Sequence, residues 1–153
     1  MQLAGSCFCG AVRFTVETRT PVPYRRCYCA RCRKTAGGTG AAANVLAQAS
    51  TLRVEGADVL TEFAAPDTTR TRFCSRCGSA MYLTIDAASD FVYPFASAID
   101  TPLPEPPERV HVFTSEAPAW ARPPSGPHDL GVERNTNESI EAWHRRHGLR
   151  EGD

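Results

Sequence analysis

Three short stretches carry every cysteine of this chain: Cys7-Phe8-Cys9-Gly10, Cys27-Tyr28-Cys29-Ala30-Arg31-Cys32 and Cys74-Ser75-Arg76-Cys77-Gly78. Thiols at these short spacings can converge on one metal ion, and zinc favours tetrahedral sets of thiolates. Clustered cysteines can also form a disulfide framework, but the seven cysteines here are an odd number, which fits that interpretation less well. The three stretches therefore predict zinc binding.

The first and third stretches each end in a glycine, which lets the chain turn sharply beside the sulfurs. Their two cysteine pairs together make a complete tetrahedral set: Cys7, Cys9, Cys74 and Cys77. We expect this set to be a closed structural site. A zinc ion bound there would close a loop of some sixty residues and would contribute its binding energy to folding.

The middle stretch supplies a local set of three cysteines: Cys27, Cys29 and Cys32. Three protein ligands leave the fourth tetrahedral position for water or substrate, as in catalytic zinc sites. Nearby positive charge lowers thiol pKa values and attracts anionic substrates, and the basic neighbours are Arg25, Arg26, Arg31, Arg33 and Lys34. The spacing equally allows a second structural site whose fourth ligand lies elsewhere, so both interpretations stay open.

Other cysteine chemistries fit the pattern less well. The ligand pairs lie too far apart for the common ferredoxin spacings. Thioredoxin-like chemistry needs its Cys-x-x-Cys in an α/β setting, which is missing here. The histidines have no ligand spacing to a cysteine, so we expect packing or surface roles for them: His111, His128, His144 and His147.

Strand patterns dominate the rest of the chain. Val12, Phe14 and Val16 alternate with polar residues, as in a half-buried strand. Shorter patterns follow at 41–47, 51–55, 58–64, 69–73, 79–85, 91–93 and 109–113, separated by glycine and proline turns. They predict a mainly β, antiparallel fold. Two short helices are predicted at 30–35 and 138–147, the second capped by Asn135 or Asn137.

Length and charge indicate the number of domains and the kinds of partner to expect. The 153 residues suggest one zinc-binding domain, 1–125, and an irregular C-terminal tail with a short helix, 126–153. The 17 acidic and 17 basic residues balance, which gives no electrostatic attraction to nucleic acid or to an anionic membrane. Neither a signal-peptide pattern nor an apolar run of ~20 residues is present. We therefore expect a cytoplasmic protein.

The cysteine motifs resemble those of the glutathione-dependent formaldehyde-activating enzyme family, also called the centromere-protein V/GFA family. The likeness covers about residues 5–120 and includes the later landmarks Ile99-Asp100 and Ala117-Pro118-Ala119-Trp120. It implies an Mss4-like fold of several small antiparallel sheets held by zinc, with short helices. It also implies a structural zinc and a functional zinc on the same two cysteine sets.

The resemblance further implies an activity. A zinc-dependent carbon–sulfur lyase would condense glutathione, or another thiol, with formaldehyde or a related electrophile to give S-hydroxymethylglutathione, and its catalytic residues would be Cys27, Cys29 and Cys32. Two positions depart from the family pattern: Tyr28 stands where histidine is common, and residues 95–98 stand where a glycine is often found. The alternative function is a non-catalytic zinc module that binds a thiol or a protein partner.

Overall fold

Twelve short strands and two α-helices form in the part of the chain that the structure, a computed structural model, describes, residues 1–149. The strands are β1 (Gln2–Ser6), β2 (Arg13–Glu17), β3 (Arg25–Cys27), β4 (Ala42–Asn44), β5 (Ala47–Gln48), β6 (Arg53–Glu55), β7 (Leu60–Ala64), β8 (Thr69–Cys74), β9 (Ala80–Ile85), β10 (Phe91–Pro94), β11 (Arg109–Val112) and β12 (Asp129–Gly131). The helices are α1 (Ala30–Ala36) and α2 (Ile140–Arg146). Neither described helix has the length and apolar character needed to span a membrane.

The strands form three small sheets, which confirms the predicted mainly β fold. Their orders are β1-β2-β6, β5-β10-β9-β8-β7 and β12-β11-β3-β4. Pairing is antiparallel in the first two sheets. In the third sheet β11 runs parallel to both β3 and β12, a difference from the purely antiparallel expectation. Parallel neighbours need a long crossover, and here the chain between β3 and β11 passes through the other sheets.

Alternation explains the strands that the sequence predicted. In β2, Phe14 and Val16 are only 2% and 1% exposed, while Arg13 and Glu17 face solvent. Phe14 lies opposite Gly5 of β1, and a Cβ at Gly5 would come within 2.4 Å of the Phe14 ring. The glycine therefore lets β1 lie directly over the ring, and β1 leads into Cys7.

Three strands were not predicted: β1, β3 and β12. The sequence of β3 is Arg-Arg-Cys, without apolar alternation, and β12 is three residues long and contains Asp129 and Gly131, both poor strand formers. Residues 126–153 were expected to be irregular apart from a short helix, and β12 is a strand within them. The hydrogen bonds of β12 to β11 stabilise this strand, although its own residues have low strand propensity.

Helix α2 lies where the sequence predicted it, but its cap differs. Ser139 is the N-cap, and its hydroxyl accepts a hydrogen bond from the backbone N–H of Ala142 at 3.0 Å. The predicted caps, Asn135 and Asn137, lie before the helix, so that prediction is wrong. Serine is as good a cap as asparagine, and local preference alone does not separate the three positions.

The C-terminal segment packs on the domain through Trp143. Its ring is 2% exposed, its indole N–H donates to Glu108 at 2.9 Å, and the His147 ring lies 4.3 Å from it, centroid to centroid. Arg146 donates to both Glu108 and Glu138, which fixes the outer side of the helix. The division of the chain near residue 125 stays a prediction, but residues on both sides of it share this packing.

Replacing Trp143 by Ala should destabilise the protein by about 3–5 kcal/mol, because it empties a large buried volume and leaves Glu108 without its indole donor. Trp120→Ala is the matched control, since Trp120 is 70% exposed. It should change the free energy of unfolding by no more than about 0.5 kcal/mol. Chemical denaturation followed by circular dichroism measures both, and equal stability of the two variants would contradict the packing described.

Candidate functional site

The seven cysteines are all free and gather into two separate sets. One set contains Cys7, Cys9, Cys74 and Cys77, and the other contains Cys27, Cys29 and Cys32. Within each set all the sulfur atoms lie within 4.8 Å of one another. The structure thus brings together the same two groups that the sequence predicted, and we call them the four-cysteine set and the three-cysteine set.

The four-cysteine set has the spacing of a tetrahedral metal site. The Sγ atoms of Cys7 and Cys9 are 3.5 Å apart, and those of Cys9 and Cys74 are 3.8 Å apart. Zinc–sulfur bonds of ~2.3 Å in tetrahedral geometry separate the sulfurs by about 3.8 Å. The sulfurs can therefore hold a zinc ion with little rearrangement.

Two glycine turns shape the four-cysteine set. Gly10 and Gly78 have positive φ angles of 74° and 75°, in the left-handed region where other residues are strained. Each glycine donates its N–H to the carbonyl of the first cysteine of its pair, Gly10 to Cys7 at 3.0 Å and Gly78 to Cys74 at 2.8 Å. The turns fold each pair back so that both of its sulfurs face the same centre.

Hydrogen bonds to sulfur favour the thiolate form of two members of this set, Cys7 and Cys77. The N–H of Val12 donates to the Cys7 sulfur at 3.2 Å. The Ser79 hydroxyl lies 3.2 Å from the Cys77 sulfur, and bonds from the Ser79 side chain and backbone lower the pKa of Cys77 to about 5. Metal ligands need deprotonated sulfur, and these donors favour it at Cys7 and Cys77.

The three-cysteine set is built on the junction between β3 and α1. Cys27 ends β3, Cys29 caps α1, and Cys32 lies in the first turn of the helix. The Cys27 and Cys29 sulfurs are 3.3 Å apart, and the N–H of Cys32 donates to the Cys29 sulfur at 3.5 Å. The end of β3 and the start of α1 thus bring the three sulfurs close together.

The charges of these three thiols are coupled. Hydrogen bonds from Cys27 and then from Cys32 lower the pKa of Cys29 to about 2, whereas its contact with Cys29 raises the pKa of Cys27. Proximity thus favours the thiolate at Cys29 and opposes it at Cys27. Three thiolates this close repel one another unless a cation lies between them, so the donor chemistry fits a metal ion.

No fourth metal-ligating side chain joins the three-cysteine set within the described part of the chain. Its surroundings are instead polar. An Nη atom of Arg31 lies 3.9 Å from the Cys32 sulfur, and Glu116 accepts a hydrogen bond from the N–H of Ala30 at 2.9 Å. The two sets therefore differ in the number of ligands that they offer.

The basic residues near the three-cysteine set have unequal roles. Arg25 is half-buried, donates to the Glu138 carbonyl at 3.2 Å, and has its pKa lowered by burial. Arg31 forms an ion pair with Asp67, at the turn between β7 and β8. The other three basic residues make no ion pair within residues 1–149, and they are Arg26, Arg33 and Lys34. Of these, Lys34 is exposed.

The histidines lie outside both cysteine sets. His144 contacts the Val22 carbonyl at 2.6 Å, and His147 packs on Trp143, as expected for packing residues. His111 is fully buried and hydrogen-bonded to Tyr28 and Asp129, a contact that sequence reasoning missed. No sequence signal could have shown it, because the three residues lie on separate elements.

An open groove of about 350 Å³ lies on the sheet of β1, β2 and β6, away from the three-cysteine set. Its polar lining includes Arg13, Arg53 and Asp100, and the Ser6 hydroxyl donates to Asp100 at 2.6 Å. None of the cysteines lines it. The groove therefore contains none of the predicted metal ligands.

These features define a small, mainly β protein with two cysteine sets that can hold metal ions. A sequence model of the family described as "Glutathione-dependent formaldehyde-activating enzyme" matches residues 2–116. A protein of Halomonas elongata named "Putative glutathione-dependent formaldehyde-activating enzyme" is 46% identical, with 99% of this chain and 100% of that protein covered. The chain therefore belongs to the glutathione-dependent formaldehyde-activating enzyme family.

A crystal structure of a Rhodobacter sphaeroides protein has the same fold. Its TM-score is 0.54 at 28% sequence identity, and the match covers 66% of this chain and 91% of that one. The part of this chain outside the match accounts for about a third of its length. The likeness confirms the fold class.

The purified protein should carry two zinc ions per chain, because the sulfurs form two separate sets. Elemental analysis of protein prepared without chelators measures this directly. We expect easier loss from the three-cysteine set, since three thiolates and an exchangeable ligand hold metal less firmly. Iron in place of zinc, or no metal at all, would contradict the assignment.

Cys74→Ser should destabilise the whole domain, because that sulfur belongs to the set that joins residues 7–9 to residues 74–77. Cys29→Ser should leave the fold intact and reduce the zinc content by one equivalent, since its set lies within a single local stretch. Thermal melts followed by circular dichroism, with zinc analysis of each variant, separate the two effects. Equal losses of stability would show that the division into structural and functional sets is wrong.

Proposed function

We propose that this chain is a zinc-dependent enzyme of the carbon–sulfur lyase type that joins glutathione to formaldehyde, or acts on a related thiol adduct. The four-cysteine set would hold a structural zinc and the three-cysteine set a functional one. The observation that carries the proposal is the inequality of the two sets, four convergent sulfurs in one and three in the other. Family membership and the name of the Halomonas relative support glutathione and formaldehyde as substrates.

The proposed reaction forms one carbon–sulfur bond, and the thiol proton ends on the former carbonyl oxygen of formaldehyde. The three-cysteine set would hold a zinc ion, a Lewis acid that would lower the pKa of a thiol bound beside it. The chain itself holds Cys27, Cys29 and Cys32 at the junction of strand and helix. The guanidinium of Arg31, 3.9 Å from the Cys32 sulfur, offsets part of the negative charge.

Charge around the site supports an anionic thiol such as glutathione, which carries two carboxylates. Arg33 and Lys34 make no ion pair within residues 1–149, so their charges are available to a ligand. Arg26 instead lies close enough to Tyr28 and His111 to act on their pKa values. Arg25 and Arg31 already have protein partners. The free thiols also support a reducing compartment, so we propose a cytoplasmic location.

Glutathione should bind at the three-cysteine set more tightly than S-methylglutathione, because only the free thiol can ionise at the exchangeable position. Cobalt-substituted protein reports this binding through its sulfur-to-metal charge-transfer absorption. Binding should weaken with added salt, since partly exposed charge contacts are screened. With formaldehyde present, exchange NMR should show faster interconversion of glutathione and S-hydroxymethylglutathione than in buffer alone.

Cys29→Ser is the control for the proposed reaction and should abolish the excess exchange rate. A spectral response to glutathione without any excess rate would discard the reaction and keep a thiol-binding zinc module. No response to either compound would favour a sealed second structural site. The first of these results is expected of a non-catalytic module that binds a thiol, and the second of one that binds a protein partner.

A further inference from the structure

A chain of three buried polar side chains begins between two cysteines of the three-cysteine set. The Tyr28 hydroxyl lies 3.0 Å from Nδ1 of His111, and Nε2 of His111 lies 3.0 Å from the Asp129 carboxylate. Tyr28 is 6% exposed, His111 0%, and the Asp129 side chain 1%. Polar groups buried this deeply must satisfy one another, which fixes their geometry.

The direction of each hydrogen bond follows from the Asp129 end. Arg109 donates twice to Asp129, at 2.7 and 2.9 Å, and holds the pKa of that carboxyl down to about 2. A carboxylate only accepts, so Nε2 of His111 carries the proton and Nδ1 is bare. Burial lowers the pKa of His111, which keeps the ring neutral. Nδ1 then accepts the hydroxyl proton of Tyr28.

Tyr28 is thereby anchored twice on β11. Its N–H donates to the Val112 carbonyl at 3.1 Å, and its hydroxyl donates to His111, the residue before Val112 on the same strand. Successive side chains of an extended segment point to opposite sides. Cys27 and Cys29 accordingly share one side, with sulfurs 3.3 Å apart, while the Tyr28 ring lies on the other.

We propose that Tyr28, His111 and Asp129 are positioning residues for the three-cysteine set, and that β12 is thereby part of the metal site. Asp129 lies beyond residue 116, where the match to the family model ends. The proposal rests on the proposed function in one respect: the three-cysteine set must bind a metal. The alternative is a polar network that stabilises the core and leaves the sulfurs unaffected.

Tyr28→Phe tests the proposal, because it removes only the hydroxyl. Loss of the bond should weaken cobalt or zinc binding at the three-cysteine set about 10- to 100-fold, the usual effect of removing a residue that orients metal ligands. Binding at the four-cysteine set should not change. Competition with a chromophoric chelator measures the affinity, and the cobalt absorption bands show which set has lost metal.

Tyr24→Phe is the matched control. Tyr24 is 9% exposed, and its hydroxyl donates to the Pro104 carbonyl at 2.5 Å. Within residues 1–149 no hydrogen bond connects this hydroxyl to a cysteine. It loses a hydrogen bond of the same kind, yet it should keep the wild-type metal affinity. Equal weakening in Tyr24→Phe and Tyr28→Phe, or no weakening in Tyr28→Phe, would overturn the proposal.

A second variant tests the whole chain of contacts. Asp129→Asn removes the negative charge and replaces one of the two accepting oxygens by an NH2 group, so at least one of the donors Arg109, His111 and Gly126 loses its acceptor. The change should therefore disturb the position of His111 and weaken the same site. Adding Tyr28→Phe to Asp129→Asn should then cost little more, since both changes break one coupled chain. Fully additive losses would show that the residues act independently and would overturn the proposal.

These tests measure metal affinity, so failure of the positioning role can be distinguished from failure of the proposed reaction. If wild-type protein binds metal at the three-cysteine set but does not accelerate the formaldehyde exchange, the proposed reaction fails and the positioning role stands. If the exchange is accelerated while Tyr28→Phe binds metal like wild type, the positioning role fails and the reaction stands. If wild-type protein binds no metal at this set, both fail.

Discussion

The convergence of four sulfurs from distant parts of the chain is the interaction on which the fold depends. Cys9 and Cys74 are 65 positions apart, yet their sulfurs lie 3.8 Å from each other. The contact ties the sheet that contains β1 to β8 of the five-stranded sheet. Each sheet is small and leaves edges that need neighbours. A metal ion at this junction would therefore contribute folding energy as well as local order.

The three-cysteine set depends on the domain in a different way. Its sulfurs come from a stretch of six residues, so no distant cysteine brings them together. The sheet that supports these sulfurs pairs β3 with β11 in parallel and continues to β12. Helix α2 packs on the same domain through the buried Trp143. A site of this kind can exchange a ligand without loss of the fold, because the surrounding sheet stays in place.

The sequence analysis correctly predicted the features that depend on residues close together in the chain. Turn-forming glycines and short cysteine spacings gave both sets, and alternation gave β2, because these patterns act within a few residues. It missed β3 and β12, whose own residues are poor strand formers and whose order comes from β11. It also missed the contact from Tyr28 through His111 to Asp129. That contact joins residues 83 and 18 positions apart, a distance over which no periodic pattern extends.

X-ray absorption at the zinc edge tests the difference between the two sets most directly, since it counts the sulfurs around each metal ion. One set offers four sulfurs and the other three. Fully loaded protein should therefore average between three and four sulfurs per zinc, with a lighter ligand making up the difference. Added glutathione should raise the average to four. An average of four before any thiol is added would contradict an open position at the three-cysteine set.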